Sequence, residues 1–126
     1  MKTIKSIIIL FSFAITHTFS FSQTRAIVAE NLVISIPVDS QVVKQYLLDL
    51  SAIPFTTAEQ MEMFFEGHKD DVVDFLINRT ERKVYMILNL DRISREKWAV
   101  KDINRYLEAK AVKMREVYLT LPVENK

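Results

Sequence analysis

Cysteine is absent from the chain, and glycine and proline are scarce. The 126 residues contain one glycine and three prolines. Without cysteine there are no disulfides, thiolate metal sites or thiol nucleophiles, so stability has to come from packing. A single glycine excludes the glycine-rich loops of Walker A and dinucleotide-binding motifs, and no G-x-S-x-G nucleophile elbow occurs. The sequence therefore contains none of these common phosphate-binding or acyl-transfer motifs.

A strong net charge is also lacking, but charge is unevenly distributed. The 17 basic and 16 acidic residues give a formal net charge of +1 at pH 7. Residues 23–77 contain three basic and nine acidic residues, whereas residues 78–126 contain twelve basic and seven acidic ones. This asymmetry is compatible with a polar partner surface on each half. The favoured interpretation is that an acidic half faces a basic half or that the charges solvate the surface.

The first 22 residues have the composition of a secretory signal peptide. Lys2 and Lys5 form a basic start, and an apolar run covers residues 7–14. Ser20 and Ser22 then supply a small-x-small exit, which predicts cleavage after Ser22. The apolar run is shorter than the roughly 20 residues that a membrane-spanning helix needs, which makes an uncleaved anchor the less favoured alternative.

Cleavage leaves residues 23–126 as one predicted domain outside the cytoplasm. A chain of this size fits a single two-layer core. Nothing after the signal is long and apolar enough to cross a bilayer, so we expect no transmembrane segment in the mature chain. The predicted location is periplasmic or secreted.

Alternation and capping residues predict a strand and two helices in the first half. Segment 26–36 alternates and ends at Pro37, which predicts a strand. A helix is predicted over 40–50, capped by Asp39 or Ser40, and a loop over 51–55. A second helix is predicted over 57–66.

The second predicted helix has signals at both ends. Thr57 with Gln60 fits a capping box, as does Thr56 with Glu59. Gly67 stands where a left-handed C-terminal cap belongs.

The second half predicts a hairpin, a long helix and a closing strand. Alternation over 73–77 and 84–90 surrounds a charged loop at 79–82. Ser94 is placed to cap a helix over 95–110. Segment 114–121 is interpreted as a strand, with continuation of the preceding helix through Tyr118 as the alternative.

The resulting order, β-α-α-β-β-α-β, is an α+β ferredoxin-like plait with one extra helix in a two-layer sandwich. It resembles the heavy-metal-associated domains of metallochaperones in topology. That resemblance implies two metal-binding cysteines at the first strand–helix junction. Here residues 36–40 read Ile-Pro-Val-Asp-Ser. Soft-metal binding of that kind is therefore not supported, and no cofactor is predicted.

One polar segment is a candidate site. His68 is the only histidine after the signal. With Glu66, Asp70 and Asp71 it predicts a mixed imidazole–carboxylate metal site or an acid/base pair. The alternative interpretation is a polar helix end and loop.

The predicted sheet leaves one face open. In the plait, five apolar or aromatic residues lie on the other face of the sheet and form a predicted interaction surface for a protein partner or a second copy. The alternative is that the extra helix of the chain itself covers them. These residues are Val33, Leu76, Tyr85, Ile87 and Tyr118.

Two functions follow from these patterns. The leading hypothesis is an exported, non-enzymatic binding or protein-interaction module. The alternative is a small metal-dependent or hydrolytic protein that uses His68 with nearby carboxylates. Nucleic acid is not expected as a partner, because export removes the chain from it and no RNP1-type motif accompanies the basic segment 79–115.

Overall fold

The computed structural model describes residues 24–122, and the predicted signal segment lies outside them. Within this range the chain forms one five-stranded sheet and three helices, which confirms the α+β class. The strands are β1 (Thr24–Val28), β2 (Ile34–Ser35), β3 (Gln45–Asp49), β4 (Val73–Asn78) and β5 (Lys83–Leu88). The helices are α1 (Ala58–Glu66), α2 (Leu90–Arg95) and α3 (Val100–Leu119).

The spatial order of the strands is β2-β1-β3-β5-β4, which differs from the predicted plait. β1 and β3 are parallel neighbours, and the other adjacent pairs are antiparallel. The chain order is β-β-β-α-β-β-α-α rather than β-α-α-β-β-α-β.

The predicted first strand is divided into β1 and β2. A turn in which the Leu32 N–H donates to the Ala29 carbonyl oxygen at 2.8 Å reverses the chain. Leu32 takes a φ of 67°, a left-handed conformation that a strand does not contain. The alternation nevertheless identified the inward residues, because Leu32, Ile34 and Ile36 are all buried.

The predicted helix over 40–50 is wrong, because this segment contains β3. Tyr46, Leu47 and Leu48 are consecutive buried residues. A strand with neighbours on both sides buries residues on both of its faces, and such a run is easily mistaken for a helix stripe. The choice of strand depends on pairing with β1 and β5 rather than on local propensity.

Helix α1 confirms the prediction over 57–66. Thr57 is its N-cap, and its hydroxyl oxygen accepts the N–H of Gln60 at 3.0 Å. The Gln60 side chain accepts the N–H of Thr56, one residue earlier than in a standard capping box. Gly67 ends the helix, but the predicted left-handed cap is wrong, since its φ of −73° is right-handed.

The hairpin of β4 and β5 is confirmed, and the rest of the C-terminal prediction changes. A short helix that the sequence did not predict, α2, is capped by Asn89 and ends before Lys97 turns the chain with a φ of 58°. The helix predicted over 95–110 begins later, at Val100, with Ala99 rather than Ser94 as its N-cap, and the predicted strand over 114–121 is wrong. The alternative, continuation of the helix through Tyr118, is what the structure has.

A single buried stripe explains why α3 continues. Ile103, Leu107, Ala111 and Met114 are buried at intervals of three or four residues, the spacing of one helix face. The same helical spacing continues into segment 114–121, which also alternates like a strand. None of the helices within residues 24–122 is both long enough and apolar enough to cross a membrane.

All three helices contribute to one core on the same face of the sheet, here called the closed face. Phe65 of α1 packs on Phe75 of β4 with ring centroids 5.0 Å apart. Ile93 of α2 and Ile103 of α3 belong to the same cluster of buried residues. The opposite side is called the open face below.

The charge asymmetry of the sequence is partly resolved by contacts between the two halves. Three ion pairs join an acidic residue before position 78 to a basic residue after it. They are Glu62–Arg79, Asp71–Arg92 and Asp70–Lys110. These pairs support the interpretation in which the acidic half and the basic half face each other.

Candidate interaction surface

The open face is built from residues that alternate with the core residues along four strands. The pairing registers place Arg25, Leu47, Tyr85 and Leu76 side by side in one row across β1, β3, β5 and β4. A neighbouring row contains Gln45, Ile87 and Asp74. On the other side of the first row, Ile27 lies beside Asp49.

Apolar exposure on this face is concentrated at its two flanks. Ile27 on β1 is 66% exposed, and Leu76 on β4 is 57% exposed. Between them, Tyr85 and Ile87 are half-buried, and Leu47 is buried. None of these five belongs to the core cluster, so they form a surface separate from the closed face.

The structure places three of the five predicted surface residues on the open face. Leu76, Tyr85 and Ile87 share it, as the alternation of the hairpin implies. Val33 lies instead in the turn before β2, where its N–H donates to the Asn31 side chain. Tyr118 lies on α3, and its hydroxyl donates to the Pro54 carbonyl oxygen.

Sequence reasoning missed two members of this face, Ile27 and Leu47. Leu47 was assigned to a helix stripe, so its place in a strand could not emerge. Ile27 belongs to the alternating segment 26–36, and its position opposite Ala26 and Val28 was the available signal.

Both edges of the sheet are occupied by side chains. Beyond β2, the Asn104 amide binds the Ile36 backbone twice, accepting its N–H at 2.9 Å and donating to its carbonyl at 3.0 Å. At the outer strand β4, Asp70 accepts the Val73 N–H at 2.8 Å and donates its own N–H to the Val73 carbonyl. Unpaired edge groups invite strand addition, and these contacts reduce that risk.

The edge of β4 is also protected at Phe75. The Asp74 carboxylate accepts the Phe75 N–H at 2.7 Å. Lys69 lies over Asp74, with Nζ 3.3 Å from its Oδ1. Charged residues on an edge strand are a common protection against edge-to-edge association.

A polar cleft of about 1070 Å³ adjoins the open face at the end where β5 leads into α2. Asp74 and Ile87 belong to both surfaces, and Asp91 and Arg95 of α2 form the far wall. The cleft extends the open face beyond the sheet and adds charged groups beside it.

The four residues of the predicted metal site lie in four different environments. Glu66 pairs with Lys69 at 3.0 Å, and Asp71 lies 3.6 Å from Arg92 with its side chain 90% exposed. Asp70 binds Lys110, whereas His68 is buried against the Phe64 ring. Among residues 24–122, no group of three or more histidine, cysteine, aspartate or glutamate side chains is arranged to hold a metal ion.

Asp70 is the centre of a polar contact between the loop before β4 and helix α3. Its Oδ2 accepts Lys110 Nζ at 2.7 Å and also the Tyr106 hydroxyl. Burial opposes ionisation, but the Lys110 ammonium, the Tyr106 hydroxyl and two backbone N–H groups outweigh it and lower the pKa of Asp70 to about 2. Burial and the same contact with Asp70 raise the pKa of Tyr106. Asp70 therefore stays ionised and fixes the loop to α3.

His68 is a buried, neutral side chain. Its ring centroid lies 4.7 Å from that of Phe64, and its Nε2 has no hydrogen-bond partner among the described residues. Burial, together with the positive charges of Lys110 and Lys113, lowers the pKa of His68. This environment suits a core residue, because a proton acceptor for catalysis needs access to its substrate.

Comparison with known proteins adds no further constraint on this surface: no protein-family model, curated protein or solved structure matches the chain.

Proposed function

We propose that the protein is a small exported, non-enzymatic binding module that recognises a protein partner through the open face. The observation that carries this proposal is the pair of flanking residues, Ile27 and Leu76, exposed on a sheet face that is separate from the core. Exposed apolar groups on a folded domain are a recurrent feature of protein interaction sites.

Hydrogen bonds from side chains to the edges of the sheet restrict how a partner binds. Partners that add a strand need free backbone groups at a sheet edge. Asn104 binds both backbone groups of Ile36 beyond β2. On β4, Asp70 binds both backbone groups of Val73, and Asp74 binds the Phe75 N–H. A partner therefore packs on the face through side chains, with the charged cleft beside Ile87 supplying polar contacts.

Export is the second part of the proposal, and it is supported by the basic start, the short apolar run and the small residues before position 23. Expression of the full chain with its own N-terminus, followed by mass measurement of the product, tests it. A mature mass that begins at Gln23 in the extracytoplasmic fraction is the expected result. An intact chain retained in the cytoplasm contradicts it.

The metal-dependent or hydrolytic alternative has no comparable support. His68 is 7% exposed, and the nearby carboxylates pair with Lys69, Lys110 and Arg92 rather than with the imidazole. We therefore base the proposal on the open face alone.

Site-specific photocrosslinking tests the interaction. A photoreactive amino acid at Leu76 in the exported protein is expected to trap a partner in the producing cell, because this side chain is exposed in the centre of β4. Leu119 on α3 is 79% exposed and is the matched control on another surface. Equal crosslinking at the two positions, or none at Leu76 together with no binding of a hydrophobic dye, contradicts the proposal.

A further inference from the structure

We infer that the open face binds a second copy of this chain, face to face, about a two-fold axis that runs parallel to the strands between β3 and β5. The inference rests on the proposed function and names its partner. Closed two-fold dimers are the commonest symmetric assembly, and their contact surface must complement itself. The distribution of charge on the open face meets that condition.

Four charged residues are distributed over the open face, two of each sign. Arg25 lies on β1 in the row of Leu47, Tyr85 and Leu76. Asp74 lies on β4 in the row of Ile87. The third row contains Asp49 on β3, and extending the β3–β5 register by one row places Lys83 of β5 beside it.

The proposed axis exchanges the strands in pairs. It places β1 over β4 of the second copy and β3 over β5 of the second copy, and it leaves each residue in its own row. Asp49 then faces Lys83 of the second copy, and Leu47 faces Tyr85. Arg25 comes one row from Asp74 of the second copy, about 7 Å along the strand, which an arginine side chain spans.

Apolar groups are brought together by the same operation. Ile27 on β1 lies one row from Leu76 of the second copy, so the two most exposed apolar residues of the face cover each other. Among these four charged residues, no two of like sign are placed opposite each other. Lys83 and Asp74 also pair within their own copy, with Glu81 and Lys69. Sheets that pack face to face are about 10 Å apart and within about 30° of alignment. An axis parallel to the strands keeps the strands of the two copies aligned, as this packing requires.

The other axis in the plane of the face is disfavoured by charge. An axis perpendicular to the strands keeps each strand over itself and exchanges the outer rows. It places Arg25 near Arg25 of the second copy, because the row of Arg25 is the central one. Like charges across an interface are unfavourable, so the strand-parallel axis is preferred.

The size of the face sets the expected strength of the dimer. Four strands about 4.8 Å apart and five residues of about 3.3 Å each give a footprint of about 19 by 17 Å. That is small for a specific interface, and interfaces of this size are weak or transient. We therefore expect a monomer–dimer equilibrium that depends on concentration, not a permanent dimer.

Sedimentation velocity of the mature protein over a range from low micromolar to millimolar concentration is the first test. The expected result is a sedimentation coefficient that rises with concentration. Leu76→Lys places a charge facing Arg25 of the second copy and is expected to weaken dimerisation about tenfold or more. Leu119→Lys, an equally drastic change on α3, is expected to leave it unchanged.

A charge exchange tests the specific pairing. Lys83→Glu and Asp49→Lys are each expected to weaken dimerisation about tenfold, because every contact occurs twice in a symmetric dimer. The double variant is expected to recover most of the loss. Asp49 accepts the Ser51 N–H at 3.1 Å, so thermal unfolding of each variant checks that the fold is retained. Failure of the double variant to recover contradicts the proposed axis.

Crosslinking tests the axis directly, because the chain contains no cysteine. Faces about 10 Å apart are too distant for a disulfide, whose Cα atoms lie within about 7 Å, so a short bis-maleimide is the appropriate reagent. A mixture of Arg25→Cys and Leu76→Cys proteins is expected to give mainly mixed crosslinked dimers, because these two positions face each other across the axis, whereas each lies about 14 Å sideways from its own copy. Arg25→Cys alone is expected to give few. The reverse pattern supports the perpendicular axis and overturns this inference.

The results of these experiments distinguish failure of the dimer inference from failure of the proposed function. A protein that stays monomeric at all concentrations, but still traps a partner through the photoreactive residue at position 76 and not through one at Leu119, retains the proposed function with a different partner. A dimer that is insensitive to Leu76→Lys overturns the inference, since its interface lies elsewhere. Absence of both a dimer and a partner overturns both.

Discussion

The two faces of the sheet are made from alternate residues of the same strands, but they differ in composition and in what covers them. On the closed face, Val73 and Phe75 of β4 are buried beneath helices that supply Phe65 and Ile103. On the open face, Leu76 of the same strand is more than half exposed. One pleated strand thus supplies the core with one set of side chains and the surface with the next.

This difference separates the residues that stabilise the core from those of the proposed interaction surface. The closed face contains the aromatic cluster around Phe65, in which Phe55, Phe64 and Phe75 lie within 5.9 Å of it by ring centroid. Large aromatic groups packed in this way dominate core energetics. On the open face, Ile27 and Leu76 are exposed, so substitution of these two side chains is expected to leave the fold intact.

The largest expected effect comes from truncating one residue on each face. Phe65→Ala removes a fully buried ring and is expected to lower the free energy of unfolding by about 3–5 kcal/mol. Leu76→Ala is expected to lower it by no more than about 0.5 kcal/mol at low protein concentration. Urea unfolding of both variants measures the difference. A similar cost for the two would show that the open face is covered in solution.

Two adjacent aspartates give the next comparison. Asp70→Asn leaves Lys110, whose side chain is only 10% exposed, without its partner, and is expected to cost about 1–3 kcal/mol. Asp71→Asn is the matched control and is expected to cost less than about 0.5 kcal/mol, because that side chain is 90% exposed. Chemical denaturation at neutral pH measures both. Equal costs would contradict the role of Asp70 as the link between the loop and α3.

The pH dependence of the Asp70 contact has a definite sign. Its folded-state pKa is about 2, below the ordinary value of 3.8, so the unfolded chain binds the proton more readily. The contribution to stability is therefore complete above about pH 4 and declines as the pH falls toward 2. Asp70→Asn is expected to lack this part of the acid transition, whereas Asp71→Asn is expected to retain it.

The two ends of α1 provide a smaller comparison within the closed face. Thr57→Ala removes the N-cap acceptor and is expected to cost about 1 kcal/mol. Gly67→Ala is expected to be neutral or to stabilise by about 0.4–1 kcal/mol, because Gly67 is right-handed and an added Cβ meets the Met63 carbonyl oxygen at an ordinary 3.5 Å. Thermal unfolding tests both. A marked loss in Gly67→Ala would show that the helix end needs glycine for another reason.

The smallest expected effect is the response of His68 to mild acid. Burial and the charges of Lys110 and Lys113 lower its pKa below the ordinary value of 6.5, so the unfolded chain binds the proton first. Stability is complete above about pH 6.5 and decreases as the pH falls below that value. His68→Phe, which keeps a ring against Phe64, is expected to reduce this dependence between pH 7 and 5.5. The same slope in both proteins would exclude His68 as its source.

The hairpin and α1 were the most predictable elements, and the reasons are local. Alternation over 73–77, the charged loop and the Thr57–Gln60 signal all act within a few residues. Segment 45–49 was misassigned as a helix because Tyr46, Leu47 and Leu48 are consecutive apolar residues and do not alternate with polar ones. Their burial depends on pairing with β1 and β5, which are distant in the sequence. Segment 114–121 fits both a strand and a helix period, and the buried stripe from Ile103 to Met114 decides between them.

Residues of the open face could be predicted only where the strand that contains them was predicted. Leu76, Tyr85 and Ile87 were identified because the hairpin was, and Tyr118 was misplaced because its segment was read as a strand. The residues of the predicted metal site have separate contacts in the structure. Proximity in sequence placed His68, Asp70 and Asp71 together, but a helix end directs successive side chains in different directions, and Lys110 from the far end of the chain binds only one of them.

The sequence by itself determined that the domain is an α+β structure, that it cannot rely on disulfides, and which residues of the hairpin alternate between two environments. Those properties depend on composition and on side-chain period, both of which are local. The tertiary structure decided that β3 is a strand parallel to β1, that Asn104, Asp70 and Asp74 occupy the sheet edges, and which face remains open. These features arise from contacts between segments far apart in the chain, whose free energy outweighs local propensity and whose pairing no local pattern specifies.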